Sequence, residues 1–149
     1  MGEEIEVESF KLDHTQVDAP YVREAGKLTT PNGDIIAKYD LRLMQPNQGV
    51  INTAAMHTIE HLLAGFMREK IDAIIDLSPM GCRTGFYLSK IGDTAVKDIE
   101  TALISSLEKI LTTENVPATT AKECGNYRDH SLFGAQEYAR EILEGFKNS

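Results

Sequence analysis

At 149 residues with 42% hydrophobic content, the chain is long enough for one domain with a real core and too short for two comfortable ones, so a single domain over residues 1–149 is expected. A formal charge of −8 argues against a nucleic-acid or anionic-membrane partner, because such surfaces need clustered Lys and Arg, and the expected partner is a small molecule. No apolar run approaches the ~18 residues of a membrane span, and Met1 to Glu8 is acidic where a signal peptide is basic and then apolar.

Gly2 does not open a myristoylation motif, since Glu6 stands where Ser or Thr is needed. A cytoplasmic protein is therefore expected. In that reducing compartment Cys82 and Cys124 read as ligands, catalysts or buried thiols before they read as a disulfide.

In chain order, Val7 to Leu12 alternates and then meets Asp13-His14-Thr15, which reads as a strand ending in a polar turn. Tyr21-Val22-Arg23 resumes an extended stretch. Thr30-Pro31-Asn32-Gly33-Asp34 predicts a hairpin turn, because Pro presets one dihedral and Asn-Gly accepts positive φ. The return strand, Asp34 to Met44, alternates Tyr39, Leu41 and Leu43 on one side with Lys38, Asp40 and Arg42 on the other. Arg42 thus falls on the polar face. Pro46-Asn47-Gln48-Gly49 ends this strand, and Asn52-Thr53 offers an N-cap for a helix from Thr53 to Glu69.

A short strand, Ala73 to Leu77, leads through Ser78-Pro79-Met80-Gly81-Cys82 to another, Thr84 to Ile91, which leaves Cys82 on a loop. Gly92-Asp93-Thr94 is expected to cap a helix whose buried stripe is Val96, Ile99, Leu103, Leu107 and Ile110. After Asp129-His130-Ser131 a last helix runs to about Glu144 with Ala135, Tyr138, Ile142 and Leu143 inward. Short turns between strands and helices, without regular βαβ units, favour an α+β domain: an antiparallel sheet covered by helices.

The chemistry-bearing stretch is His57-Thr58-Ile59-Glu60-His61. On a helix, His57, Glu60 and His61 share one face, with Ala55, Ile59, Leu62, Leu63 and Phe66 roughly opposite. Imidazoles at i and i+4 lie one above the other and can hold one divalent ion, while Glu60 is aimed aside and suits proton transfer better than ligation. Two histidines leave a site unfinished, and either cysteine could complete it. The Cys124-Gly125 loop favours a fixed ligand, whereas Cys82, in a Pro/Gly turn beside Arg83, suits a reactive thiolate. A His2Cys site keeps one position open. Such a set fits proton abstraction beside a carbonyl, or hydrolysis, and the residues alone leave both open.

These motifs, together with Glu8-Ser9-Phe10, Leu12-Asp13-His14, Ala19-Pro20-Tyr21-Val22-Arg23, Asp40-Leu41-Arg42, Gln45-Pro46-Asn47, Asp76 through Cys82, Thr84-Gly85, Cys124-Gly125 and His130-Ser131-Leu132, occur in one order over nearly the whole chain. In that order the chain resembles the S-ribosylhomocysteine lyases, the LuxS family of bacterial autoinducer synthesis. The resemblance implies a metal held by His57, His61 and Cys124, with Fe2+ the working ion and Zn2+ or Co2+ able to replace it. It implies Glu60 and Cys82 as the acid/base pair, and Ser9, His14, Arg42 and Asp76 as residues that contact or orient the sugar. It further implies a homodimer with sites at the subunit interface, which cleaves S-ribosylhomocysteine to homocysteine and 4,5-dihydroxypentane-2,3-dione, the precursor of a quorum-sensing signal, by two carbonyl migrations and β-elimination of the thioether.

Departures are a short connection from Arg68 to Ile75, Phe133 where the family commonly carries an acidic residue, and a brief tail after Phe146. His130 carries no assigned role. Two rival functions stand beside the lyase: a metal hydrolase of the deformylase or H-x-x-E-H peptidase kind, and a non-catalytic module in which a fourth protein ligand closes the metal site.

Overall fold

A computed structural model describes residues 4–149. The first three residues, which include Gly2 and the start of the expected 1–149 domain, lie outside the described residues. The chain forms one α+β domain whose elements are α1 (Glu8–Lys11), β1 (Tyr21–Thr29), β2 (Ile35–Arg42), α2 (Thr53–Lys70), β3 (Ile74–Pro79), β4 (Gly85–Ile91), α3 (Val96–Ile110) and α4 (Leu132–Lys147). The four strands make an antiparallel sheet in the order β1-β2-β4-β3.

Alternation in β2 sets the two layers. Ala37, Tyr39 and Leu41 face inward, and the β4 partners Leu88 and Phe86 stand opposite Tyr39 and Leu41 on the same face. This apolar face packs on Ile59, Leu62, Leu63 and Met67 of α2, Ile99, Leu103 and Leu107 of α3, and Ala135, Ala139 and Ile142 of α4. The helical stripes read from spacing are therefore the core. Asn52 caps α2 through its Oδ1, which accepts from Ala55 N at 2.9 Å, and Ser131 caps α4 by accepting from Gly134 N at 2.9 Å.

Two expectations are corrected. Val7 to Leu12 is not a strand: Glu8–Lys11 is a single helical turn, because no sheet edge is there to receive the segment and Glu8 is instead drawn to Arg23 of β1 at 2.6 Å. Its alternating apolar residues find no core, so Phe10 remains 83% exposed. Gly92-Asp93-Thr94 does not cap α3. The N-cap is Ala95, which makes no side-chain bond, since Asp93 is engaged by Lys27 at 2.8 Å and Thr94 N donates to the Tyr39 hydroxyl at 2.9 Å. That hydroxyl in turn donates to Thr94 O at 2.6 Å, so the buried phenol organises the turn.

The polar face of β2 is where the alternation puts it. Asp40 and Arg42 lie opposite the core, yet they are 0% and 1% exposed, where the chain before β1 returns to the sheet. Gln45 pins that return: its amide accepts from Ala19 N at 2.9 Å and donates to Val17 O at 2.7 Å. Where β4 begins, Gly85 pairs with Arg42, and any Cβ there would run into Leu41 O of β2. Only glycine lets the two backbones come so close.

Candidate active site

One helix face and one loop build the first group. α2 presents His57 and His61 one turn apart, and the loop before α4 returns Cys124 to them, with Sγ 3.4 Å from His57 Nε2 and 3.8 Å from His61 Nε2. Backbone carbonyls fix both rings: His57 Nδ1 donates to Asp129 O and His61 Nδ1 to Pro117 O, each at 2.9 Å. That tautomer turns both Nε2 lone pairs toward the sulfur. Asn126 N donates to Cys124 Sγ at 3.5 Å.

The donor set fits a metal ion. Bonds of ~2.3 Å to sulfur and ~2.0 Å to nitrogen at tetrahedral angles place S and N about 3.6 Å apart, which the two observed separations bracket. Nitrogen and thiolate donors suit iron, cobalt or zinc. Cys124 completes the pair of histidines, and Cys82 is not part of this group.

A fourth donor not assigned from the sequence, His130, joins the group, all of whose ligand atoms lie within 4.8 Å of one another. Its ring stacks on His57 with centroids 3.9 Å apart and planes inclined by 25°. Planes so disposed meet roughly 9 Å from the rings, whereas an ion bound through Nε2 lies about 3 Å from a ring centre. The two imidazoles therefore do not aim at one ion. Burial, reinforced by the adjacent His57 and His61, holds His130 below the usual histidine range, which favours the neutral ring.

Glu60 and His61 line an open cleft of about 580 Å³ that also receives Asp76 and Leu77 from the edge strand β3, and Pro117, Ala118 and Glu123 from the long loop. Asp76 accepts a hydrogen bond from Ser78 Oγ. Glu60 is thus beside the metal group without belonging to it.

The second group sits on the sheet face away from the helices. Asp40 receives Arg42 Nε at 3.1 Å and Nη2 at 3.0 Å, Arg23 Nε at 2.8 Å and the Tyr21 hydroxyl at 3.2 Å. Arg42 Nη1 donates to Thr84 Oγ1 at 3.2 Å, and that hydroxyl lies 3.0 Å from Cys82 Sγ. Burial alone would weaken the Arg42 guanidinium, but its bonds to Asp40 and that carboxylate's charge outweigh it and lift Arg42 above the ordinary arginine value. Burial and the Asp40 charge likewise push the Tyr21 and Tyr87 phenols up. Asp40 and Thr84, absent from the sequence-based site, are what place Arg42 beside the exposed, free Cys82. Arg42 bears on that sulfur through Thr84, where the sequence had suggested Arg83.

Ser9 lies on the same face, beside the Tyr87 phenol. His14 is held only locally, its Nδ1 2.9 Å from Leu12 O. Among the described residues no hydrogen bond or ion pair joins this second group to His57, Glu60, His61 or Cys124. Both cysteines are free, and no described helix is long and apolar enough to cross a membrane.

Fold and site together define a metal-binding α+β protein in which a helix-borne histidine pair and a loop cysteine leave one side of the group to a cleft with a carboxylate. Comparison with known proteins narrows the class. The profile of the S-ribosylhomocysteinase (LuxS) family matches residues 7–149. An S-ribosylhomocysteine lyase of Clostridium perfringens is 55% identical over 140 residues, 94% of this chain and 93% of that protein. One from Clostridioides difficile is 56% identical over 138 residues, covering 93% and 91%, and one from Lactobacillus acidophilus is 57% identical over 141, covering 93% and 90%. The chain belongs to the S-ribosylhomocysteinase family, a family of carbon–sulfur lyases.

Proposed function

We propose that this protein cleaves S-ribosylhomocysteine to homocysteine and 4,5-dihydroxypentane-2,3-dione, and that it does so in the cytoplasm as a homodimer. The observation that carries the reading is the convergence of His57, His61 and Cys124 beside Glu60, within a chain that matches the lyases over nearly its full length. His57, His61 and Cys124 would hold the metal, Fe2+ with Zn2+ or Co2+ as substitutes, which would supply Lewis acidity when bound.

The protein's own groups move the protons. Each carbonyl migration removes a proton from the carbon next to the carbonyl and returns one to the former carbonyl carbon. The last step removes a proton α to the carbonyl while the C–S bond breaks, and the leaving sulfur takes up a proton. No water or redox partner is consumed. Glu60 and Cys82 are the two acid/base groups this traffic needs. Ser9, His14 and Asp76 contact the sugar, and Arg42, with its guanidinium buried, orients it from behind Thr84 and Cys82.

The two groups on one chain point to a composite site. Glu60 and the metal ligands lie in the cleft at the β3 edge, whereas Ser9, Arg42 and Cys82 cluster on the outer sheet face beside the exposed Phe10. A second copy brings its Cys82 group to the first copy's Glu60 group. Mixing Glu60→Gln with Cys82→Ala protein after subunit exchange is then expected to restore about a quarter of wild-type activity, since half the dimers hold one intact site. No recovery above either variant alone would place all the groups of one site on one chain.

The reaction is tested by thiol release from S-ribosylhomocysteine, followed with a thiol reagent on anaerobically prepared protein with and without a chelator. Stoichiometric homocysteine that disappears on chelation is the expected result. Intact substrate after incubation with the metal-loaded protein would refute the lyase reading. The hydrolase alternative predicts that peptide or formyl substrates are cut instead.

A further inference from the structure

His130 carries the buried side-chain nitrogen, Nε2, that has no hydrogen-bond partner among the described residues. Its other nitrogen pairs with Thr58. Thr58 is fully buried, and its hydroxyl oxygen accepts the Ser131 N–H at 2.9 Å. The same hydroxyl lies 3.0 Å from His130 Nδ1, and when it donates to that nitrogen the ring proton sits on Nε2.

In that tautomer an N–H donor is held inside the group formed with His57, His61 and Cys124, stacked on His57 and edge-on to His61 with centroids 4.6 Å apart. The stacking keeps it off the point that His57 addresses and beside it. A buried N–H without an acceptor is costly, and natural sites carry one where an acceptor arrives with the ligand.

Building on the lyase reading, we propose that His130 is a further substrate-contacting residue, whose Nε2–H donates a hydrogen bond to a carbonyl or hydroxyl oxygen of the sugar seated at the His57–His61–Cys124 group. Oxygen develops negative charge each time a proton leaves the neighbouring carbon, and a fixed donor aimed at it strengthens its hold as that charge grows.

Replacing His130 with Phe keeps a flat ring against His57 and deletes the donor, while His130→Gln offers an amide N–H at similar reach. His130→Phe is expected to retain wild-type metal content, measured by elemental analysis, and to lower kcat about a hundredfold, with His130→Gln recovering much of it. In the Cys82→Ala background, calorimetric affinity of the metal-loaded protein for S-ribosylhomocysteine is expected to fall about tenfold on adding His130→Phe, a readout independent of turnover. Unchanged kcat and affinity in His130→Phe overturn the proposal. So does metal loss that tracks the activity loss, since His130 would then only be holding the ligands. Wild-type protein that releases no thiol would sink the lyase reading and this contact with it, whereas normal release by wild type and His130→Phe alike sinks the contact alone.

Discussion

Cys82→Ala protein is expected to bind its full complement of metal and to turn over S-ribosylhomocysteine at least about a thousandfold more slowly than wild type, the upper part of the range for a lost acid/base group. Full metal is expected because Cys82 stands outside the cluster of four ligand-bearing side chains, its sulfur directed to Thr84 Oγ1. The large kinetic effect is expected because each carbon-to-carbon proton shift needs a group to take the proton and one to return it. Without the sulfur only Glu60 remains in that role. Glu60→Gln should behave in the same way, with metal retained. A Cys82→Ala protein with wild-type kcat would overturn the acid/base assignment, and one that loses its metal would make Cys82 a ligand.

Cys124→Ala is expected to have the opposite signature, with metal affinity weakened by well over the roughly hundredfold that loss of a supporting outer residue costs, and activity falling with it. The sulfur is the donor that both Nε2 atoms face, at 3.4 and 3.8 Å, with the two rings held in place by Asp129 O and Pro117 O. Metal bound only by the folded chain also stabilises it, by about 2.7 kcal/mol at a free concentration a hundred times Kd. Chelation should therefore lower the melting temperature of the wild type and leave that of Cys124→Ala almost unmoved. Full metal stoichiometry in the variant would show that another side chain is the third ligand.

The helical part of the site was legible because periodicity and chemistry agree in α2: the apolar residues at Ala55, Ile59, Leu62 and Leu63 leave His57, Glu60 and His61 no face but the open one. The hairpin at Gly33 and the cap at Asn52 were legible for the same local reason. What sequence reading missed depends on partners far along the chain. The six-residue alternation at Val7 to Leu12 looks like a strand until one asks which edge could accept it. The alternation puts Asp40 and Arg42 on the polar face of β2, and their burial there depends on residues some twenty positions earlier. His130 belongs to the matched His130-Ser131-Leu132 stretch but received no role, because its place depends on stacking against a ring more than seventy residues away. The Asp93 cap failed to form because a tyrosine hydroxyl from β2 took over the turn.

The bonds from Glu8 through Arg23, Asp40, Arg42 and Thr84 to Cys82 form an unbroken relay between a half-exposed carboxylate on α1 and the reactive sulfur. Each guanidinium in it is shared, so neutralising Glu8 releases Arg23 to lean more fully on Asp40 and loosens that carboxylate's grip on Arg42. The rate at which Cys82 is alkylated should therefore respond to a substitution made several side chains away, so that the first helical turn, slight as it is, reaches the sulfur through its bonds.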